Sequence, residues 1–362
     1  MYLLCIPLPL LVVNPPVALK PRLRWADQLE YLPQTANKLA MEEVLTLGLG
    51  GVGAVYSLAL DLSKQARITT VCRSNYQVVK DNGLTIHSDS FGKFEPWRPH
   101  KVVSSTSSPE ATETEYSYIL VTTKALPEAT PSTADILRPV VSKNTTIVLL
   151  QNGVGIEDPI SAAFPENPII SCSVYLSSSQ FSSGVITQTA LERVVIGGFD
   201  NGVVNSMLLK NRVARFAELL RVSGANVAVN DDIQMERWKK LLWNASYNTY
   251  CTVTMMDTLT FCETVPNATE LIRTCMNEVL AVSNALGHSI PPETVENLIK
   301  FTMGNGKYKP SMLLDRERGS QMEVEVLLGN PTRIAKEHGV PTPILNSLYG
   351  ILSAENWKLR QG

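Results

Sequence analysis

The turn Gly-Leu-Gly-Gly-Val-Gly at residues 48–53 constrains the fold of this chain more than any other feature of its sequence. It follows the apolar run Val44–Leu47, which is typical of a short strand, and it precedes a helical run, AVYSLALDLSK. Glycines at this spacing allow a tight turn, admit a pyrophosphate close to the backbone and let the helix pack on the strand. The turn predicts a dinucleotide-binding site; the alternative is a Gly-rich turn with a structural role only. The predicted binding residues are Gly48, Leu49, Gly50, Gly51, Val52 and Gly53.

The pattern of strands and helices changes near residue 230. Before it, β-branched apolar runs alternate with helical periods, and after it long helical periods follow one another. This order indicates an α/β fold, with an N-terminal Rossmann-type dinucleotide-binding domain followed by an all-α C-terminal domain. A chain of 362 residues is also long for a single core. The predicted domains are residues 41–230 and 231–362.

The individual elements are predicted from hydrophobic periodicity. Strands are expected at Val44–Leu47, Arg67–Cys72, Tyr118–Thr123, Thr146–Leu150, 169–176, 184–196 and 226–230, with a helix over 205–223. Asn82-Gly83 and Phe91-Gly92 predict hairpins within 76–104. Helices are expected at 232–256, 268–287, 292–303, 311–338 (interrupted near Gly329-Asn330-Pro331) and 342–357.

Composition excludes several classes of protein. A net charge near −2 without Lys/Arg clusters argues against nucleic-acid binding. Six scattered cysteines without a CxxC pair argue against a metal site and a disulfide framework, and favour free thiols in the cytoplasm. The apolar run Tyr2–Val13 is too short to span a membrane and contains two prolines. Residues 1–40 are therefore expected to be an extension outside the fold, and organelle (mitochondrial) targeting is the alternative.

The end of the second strand indicates the cofactor. An acidic residue there would bind the ribose 2′-hydroxyl of NAD, but this chain has Arg73 and Ser74. A guanidinium and a hydroxyl suit a 2′-phosphate, so NADPH/NADP+ is the predicted cofactor. The alternative for Arg73 is a solvated surface arginine.

Lys124 and Asn152 each follow a strong apolar strand, and Asn152 opens a turn, NGVG. Ligands of open α/β sheets bind at the carboxyl ends of strands, so both residues are predicted to line the cofactor and active site. A lysine at a strand end can also serve only solubility.

The segment WKKLLWNASYN carries Lys240, Asn244 and Asn248 at intervals of four, which places them on one face of a helix. A protonated lysine can stabilise the negative charge that develops on a ketone oxygen during reduction and can deliver a proton to it. Asparagines can hold a hydroxyl or carbonyl group without adding charge. The alternative is an amphipathic helix with a solvated polar face. That alternative is disfavoured if the solvated face of the helix is already formed by its other polar residues, Glu236, Arg237, Lys239 and Ser246.

Two later residues are further candidates. Ser311 opens a predicted helix, where its hydroxyl and the free N–H groups could bind a carboxylate; a simple N-cap is the alternative. Glu323 and Glu325 alternate with apolar residues, and one of them could reach the lysine.

These motifs together resemble the ketopantoate reductase (2-dehydropantoate 2-reductase) family, from Met41 to the C-terminus. The matching segments, in family order, are the glycine turn, TTKA at 122–125, QNGVG at 151–155, WKKLLWNASYN at 238–248 and the run at 311–331. The resemblance implies a Rossmann domain, an all-α domain, NADPH dependence and an active site in the cleft between the domains.

The resemblance also implies roles for single residues. Lys240 matches the catalytic general acid, Asn244 and Asn248 match substrate-contacting asparagines, and Ser311 matches a carboxylate-binding serine. Glu323 matches the glutamate of the Thr-Glu-Ile-Asp motif. Lys124 and Asn152 match residues lining the cofactor and active site, and Arg73 matches the arginine beside the 2′-phosphate.

Two departures from the family pattern bear on the substrate. The segment after Asn248, TYCTVTMMDTLTFCETVP, lacks the small residues usual there and has Thr and Asp where a further asparagine is often found. The Gly-Arg-Pro-Thr-Glu motif reads Gly-Ser-Gln-Met-Glu at 319–323.

The expected reaction is the NADPH-dependent reduction of 2-dehydropantoate to (R)-pantoate, in pantothenate biosynthesis. The alternatives are reduction of a different 2-keto acid or ketone, and a non-catalytic NADP-binding protein. The expected partner is a small keto acid, not nucleic acid or membrane, and the protein is expected to be a monomer or homodimer.

Overall fold

The computed structural model describes residues 41–361, which belong to one compact unit. The predicted extension at residues 1–40 lies outside the described residues. The described residues contain ten strands: β1 (Glu42–Leu47), β2 (Ala66–Val71), β3 (Leu84–Ser88), β4 (Gly92–Trp97), β5 (Lys101–Val103), β6 (Tyr118–Val121), β7 (Thr146–Leu149), β8 (Ile169–Ser182), β9 (Val185–Phe199) and β10 (Val227–Val229).

Fourteen α-helices accompany these strands within the described residues. The first six are α1 (Gly51–Leu62), α2 (Tyr76–Asn82), α3 (Pro109–Thr112), α4 (Thr133–Leu137), α5 (Asp158–Ala163) and α6 (Ser206–Val222). The other eight are α7 (Ile233–Trp243), α8 (Thr249–Thr254), α9 (Thr258–Thr264), α10 (Ala268–Ala285), α11 (Glu293–Gly304), α12 (Ser311–Glu317), α13 (Asn330–Glu337) and α14 (Pro343–Gln361). Within this range no helix is long and apolar enough to cross a membrane.

The strands form one sheet in the order β4-β3-β9-β8-β7-β6-β1-β2-β5, and β10 pairs with β9. The run β5-β2-β1-β6-β7-β8 is parallel throughout and has the strand order of a dinucleotide-binding fold. Its order reverses between β1 and β6, so β1 and β6 begin their connections on opposite sides. Ligands of such sheets bind at this point, outside the carboxyl ends of the strands. The predicted fold class is confirmed.

The sheet and the later helices share a hydrophobic core. One cluster of buried side chains contains Leu45, Ile119 and Leu149 from the strands together with Trp238 and Met276 from the helices. The last strand ends at Val229 and α7 begins at Ile233, so strands and helices separate in the sequence near residue 230. The division into two domains stays a prediction, because this cluster crosses it.

Two predicted local features are wrong. Residues 76–82 form helix α2, and Gly83 ends it with a φ of 75° instead of turning a hairpin. Of the two predicted hairpins, the one at Phe91-Gly92 is present and joins β3 to β4. The expected interruption near Gly329-Asn330-Pro331 is absent, because a π-helical turn, Glu325–Gly329, runs directly into α13. Pro331 follows the π-helical turn directly, and that turn departs from the regular i→i−4 hydrogen bonding that a proline interrupts. The chain leaves the helix at residues 318–323 instead.

Candidate active site

The glycine turn has the geometry of a phosphate-binding turn. Gly48 has a φ of 95°, which L side chains rarely adopt. A Cβ on Gly53 would lie 2.1 Å from the carbonyl oxygen of Gly48, so only glycine lets α1 pack this closely. A Cβ on Gly50 would meet no atom within 4 Å. The turn is therefore tight at its first glycine, packed at its last and open at the middle one, where a pyrophosphate needs room.

The start of α1 is available for an anion. Its N-cap residue is Gly50, and no side chain caps the helix within the described part of the chain. On one side, the hydroxyl of Ser178 in β8 lies so close that a Cβ on Gly51 would come within 2.4 Å of it. The unsatisfied N–H groups and the helix dipole favour phosphate here. These residues fit a dinucleotide.

Arg73 follows the carboxyl end of β2 and is exposed. Its guanidinium makes no hydrogen bond or ion pair with the other described residues. Asn75, two residues later, donates to the carbonyl oxygen of Leu49 at 3.2 Å and so ties this segment to the glycine turn. Arg73 is therefore a free cation beside the glycine turn.

Lys240, Asn152 and Glu323 form a hydrogen-bonded chain. The Lys240 amine donates to Asn152 Oδ1 at 2.8 Å and to the carbonyl oxygen of Val174. Asn152 Nδ2 donates to Glu323 Oε2 at 3.1 Å, and Glu323 Oε1 accepts from the N–H of Ala125 at 2.9 Å. Asn152 follows β7 and Ala125 follows β6, so the chain joins two strand ends to α7 and to the segment before the π-helical turn at 325–329.

Charge and burial adjust the acidity of this lysine. The pKa of the Lys240 amine is lowered to about 7: burial is the largest cause and Arg237 adds to it, whereas Glu323 and Glu236 act in the opposite direction. A group with a pKa near the working pH is an effective proton donor. Glu323 reaches the lysine through Asn152; Glu325 instead accepts from Tyr349 and pairs with Arg333.

The two asparagines differ in their surroundings. The helix does not continue as a regular α-helix beyond Trp243: Asn244–Asn248 form a π-helical turn, a feature frequent at functional sites. The buried amide of Asn244 makes no hydrogen bond within the described residues, and it lines a small cavity with Lys240. The amide of Asn248 is buried and engaged at both ends. It accepts from the N–H of Met312 at 2.9 Å and lies 3.4 Å from Ser311 Oγ.

Ser311 is exposed and begins α12, as predicted. The alternative of a simple N-cap is wrong, because Pro310 holds that position and the Ser311 side chain makes no cap bond. The Asn248 amide accepts from the helix N-terminus instead. The structure therefore brings Asn248 and Ser311 together.

Lys124 crosses from the sheet to the helices. Its amine pairs with Asp315 of α12 at 2.9 Å and donates to the carbonyl oxygen of Gln321 at 2.7 Å. Burial raises the pKa of Asp315, although Lys124 opposes the shift. Lys124 thus lies at the site's edge, and its role at the cofactor stays a prediction.

The prediction that other polar residues around Lys240 form a solvated helix face is wrong. Glu236, Arg237 and Ser246 are buried, and Lys239 is half-buried, with 43% of its side chain exposed. Arg237 pairs with Glu157, which lies 80 positions away in the sequence, so no local pattern could reveal its burial. Arg237 belongs to the cavity beneath Lys240, whose other lining residues are Gln151, Asn152, Gly153, Cys172, Ser173, Leu241 and Asn244.

Comparison with known proteins identifies relatives of both the strand-rich and the helical part of the chain. Residues 44–201 match the ketopantoate reductase PanE/ApbA family and residues 232–356 match its C-terminal domain. An uncharacterized protein of Saccharomyces cerevisiae is 34% identical, covering 89% of this chain and 95% of its own. A 2-dehydropantoate 2-reductase of Nostoc is 26% identical over 87% of this chain and 96% of its own.

A solved structure gives the same result. The 2-dehydropantoate 2-reductase of Methylococcus capsulatus superposes with a TM-score of 0.76 at 31% identity, covering 88% of this chain and 97% of its own. The predicted resemblance is thereby confirmed over both halves of the fold. The chain belongs to the ketopantoate reductase family and is an NADP-dependent oxidoreductase acting on a C=O/CH–OH couple.

Proposed function

We propose that this chain reduces the ketone of 2-dehydropantoate to the hydroxyl of (R)-pantoate with NADPH. The observation that carries the proposal is the Lys240–Asn152–Glu323 chain at the carboxyl ends of β6 and β7. It places an amine of near-neutral pKa at the sheet edge that also carries the glycine turn. The names of the relatives from Nostoc and Methylococcus support the substrate.

The cofactor would be held by the residues predicted for it. The turn at Gly48–Gly53 and the start of α1 would take the pyrophosphate, and Arg73 would pair with the 2′-phosphate. When bound, NADPH supplies the hydride that reaches the carbonyl carbon. The guanidinium of Arg73, exposed and unpaired among the described residues, supports NADPH over NADH, because a guanidinium matches a phosphate with two parallel hydrogen bonds.

Lys240 acts as the general acid of the proposed reaction. Its amine stabilises the negative charge on the keto oxygen and gives it a proton. Asn152 accepts from the amine and fixes its direction, and Glu323 in turn accepts from Asn152. The carboxylate nearby favours the protonated lysine, which offsets part of the cost of burial.

The remaining polar residues orient the substrate. The Asn244 amide lies beside Lys240 without a hydrogen-bond partner in the described part of the chain, and it would bind the substrate hydroxyl or carbonyl. Ser311 is exposed at the start of α12 and would bind the carboxylate. Because the Asn248 amide is already engaged with this helix start, we propose that it holds Ser311 in place and reaches the substrate through it.

A second candidate is reduction of a different 2-keto acid by the same residues. The observation that favours it is Asp257, at one of the positions that depart from the family pattern. Its carboxylate accepts from the N–H of Thr260 at 2.9 Å and from the Thr260 hydroxyl at 2.8 Å, and so caps α9. A side chain used as a helix cap is not free to bind substrate, and the substrate pocket differs accordingly.

The compartment and assembly are also proposed. Free, buried thiols such as Cys72, Cys172, Cys251 and Cys275 suit the reducing cytoplasm, where pantothenate biosynthesis would place the enzyme. The assembly is proposed to be a monomer or a homodimer.

The test is NADPH oxidation by the full chain with 2-dehydropantoate and a panel of other 2-keto acids. Lys240→Ala is expected to lower kcat by roughly 10²–10⁴-fold. Lys239→Ala is the matched control, because the side chain of this neighbouring lysine is 43% exposed and its one ion pair among the described residues is with Glu236, at 3.9 Å. Equal losses in both variants would contradict the assignment of the acid.

The panel separates the candidate functions. Fastest turnover of 2-dehydropantoate supports the first, and faster turnover of another keto acid supports the second. NADPH binding without turnover of any keto acid would leave a non-catalytic NADP-binding protein.

A further inference from the structure

A buried ion pair lies directly beneath the candidate site. Arg237 Nε lies 2.7 Å from Glu157 Oε1, and the two side chains are 2% and 1% exposed. Arg237 belongs to α7, one turn before Lys240, and Glu157 precedes α5. Burial alone would raise the pKa of Glu157, but Arg237 and the hydrogen bonds from Ser171 and Gln234 bring it below its ordinary value. Both groups are therefore charged.

The guanidinium of Arg237 is aimed at the backbone around Asn152. One of its terminal nitrogens donates to the carbonyl oxygens of Gln151 at 3.1 Å and of Gly153 at 2.9 Å. The other donates to the carbonyl oxygen of Leu149, at the end of β7, at 3.4 Å. Only a planar fork with several donors reaches all three oxygens at once. The carbonyls on both sides of Asn152 are thus held by one side chain.

The same loop is held from the opposite side. Gly153 has a φ of 90°, and a Cβ there would lie 2.5 Å from the side chain of Val326. The N–H of Val154 donates to the carbonyl oxygen of Val326 at 3.1 Å. Val326 lies in the π-helical turn that follows Glu323. The loop is clamped between α7 and this turn, with the side chain of Asn152 between Lys240 and Glu323.

We propose that Arg237 is a positioning residue of the reaction, which clamps the loop at 151–153 so that Asn152 holds the Lys240 amine, while Glu157 neutralises its charge. The proposal rests on the proposed function, in which Lys240 is the acid. Arg237 itself acts through the loop, because each of its three nitrogens is engaged, with Glu157 and Ser171 or with the three carbonyls.

The charges around Lys240 give the proposal a specific signature. Arg237 and Glu236 face it from its own helix, Glu323 from the segment before the π-helical turn, and the ring of Tyr175 from β8 at 5.5 Å. A cation at Arg237 disfavours protonation of the lysine, and the Glu157 carboxylate screens that cation. Removing the charge of Arg237 should therefore raise the pKa of Lys240, and removing the charge of Glu157 should lower it. If the two residues gave structural support only, their removal would not shift the pKa of Lys240 in opposite directions.

The experiment is an NMR titration of the lysine amines in the full chain, with the Lys240 signal assigned by its loss in Lys240→Met. Arg237→Gln is expected to raise the pKa of Lys240, and Glu157→Gln to lower it. Arg273→Gln is the matched control: it breaks the pair with Glu296 on α10 and α11 and should leave Lys240 unchanged. Shifts of the same sign, or none, would overturn the proposal.

Two further variants keep the test decisive if a single substitution prevents folding. The double variant Glu157→Gln with Arg237→Gln buries no net charge. The pKa of Lys240 in it should be closer to the parent value than in either single variant. Arg237→Lys keeps the charge but loses the fork. It should therefore keep the parent pKa of Lys240 and lose kcat at least tenfold, with little change in KM. Parent-like kcat in Arg237→Lys would refute the positioning role.

The titration does not depend on the substrate. If 2-dehydropantoate is not turned over but the shifts have opposite signs, the proposed function fails and the electrostatic part of this inference stands. If turnover depends on Lys240 but the pKa shifts are absent, the proposed function stands and the inference about Arg237 and Glu157 fails.

Discussion

The pH dependence of the reaction tests the role of Lys240 most directly. The proton donor must be protonated before the keto oxygen is reduced. An ordinary lysine stays protonated up to its pKa of 10.5, whereas burial brings the Lys240 amine to about 7. Raising the pH across this interval therefore removes the proton from Lys240 but not from an exposed lysine.

The expected magnitude follows from this pKa. A group of pKa about 7 is roughly 90% protonated one unit below it and about 1% protonated two units above it. In the complex with NADPH, the negative charges of the cofactor would raise this pKa and so move the decline to higher pH. In either case kcat/KM for the keto acid should fall by about tenfold or more between pH 7 and pH 9.

The assay is kcat/KM for the keto acid at saturating NADPH, at half-unit pH steps, with NADPH saturation checked at each step. Lys240→Arg is the control, because a guanidinium keeps its proton throughout this range. The residual activity of that variant should show no decline between pH 7 and 9. A parent profile that stays flat to pH 9.5 would refute a lysine of lowered pKa as the acid.

Three further predictions concern the cofactor and the fold. Gly50→Ala should fold normally, since its Cβ meets no atom, and weaken NADPH binding measured by fluorescence titration; Gly53→Ala should lower the melting temperature, since its Cβ meets the Gly48 carbonyl at 2.1 Å. Arg73→Gln should raise the Kd of NADPH roughly 10–100-fold and leave that of NADH unchanged, which the same titration measures. Lys240→Met should be more stable than the parent at pH 6.5 by up to roughly 5 kcal/mol, because the unfolded lysine binds a proton more tightly than the folded one. In denaturant unfolding, this difference should shrink as the pH rises from 7 to 10; a gap that grows would contradict the sign.

The local pattern of the sequence was sufficient for the glycine turn, the core strands and the order of strands before helices. These features depend on neighbouring residues, because a tight turn needs glycine at defined positions and a buried strand needs a continuous apolar run. The family resemblance also came from the sequence, and the comparisons confirm it. The failures at residues 76–82 and near Pro331 were local as well, since Gly and Pro signals occur both inside turns and at helix ends.

The tertiary structure alone decided which polar residues meet. A charged residue on a helix is solvated or buried according to its partner, and the partner of Arg237 lies 80 positions away at Glu157. Asn248 was expected at the substrate but is engaged by the start of α12, 64 positions further along the chain. Sequence spacing gives the face of a helix and not what packs against that face. The free amide of Asn244 and the lowered pKa of Lys240 therefore follow only from the packing of the helices on the sheet.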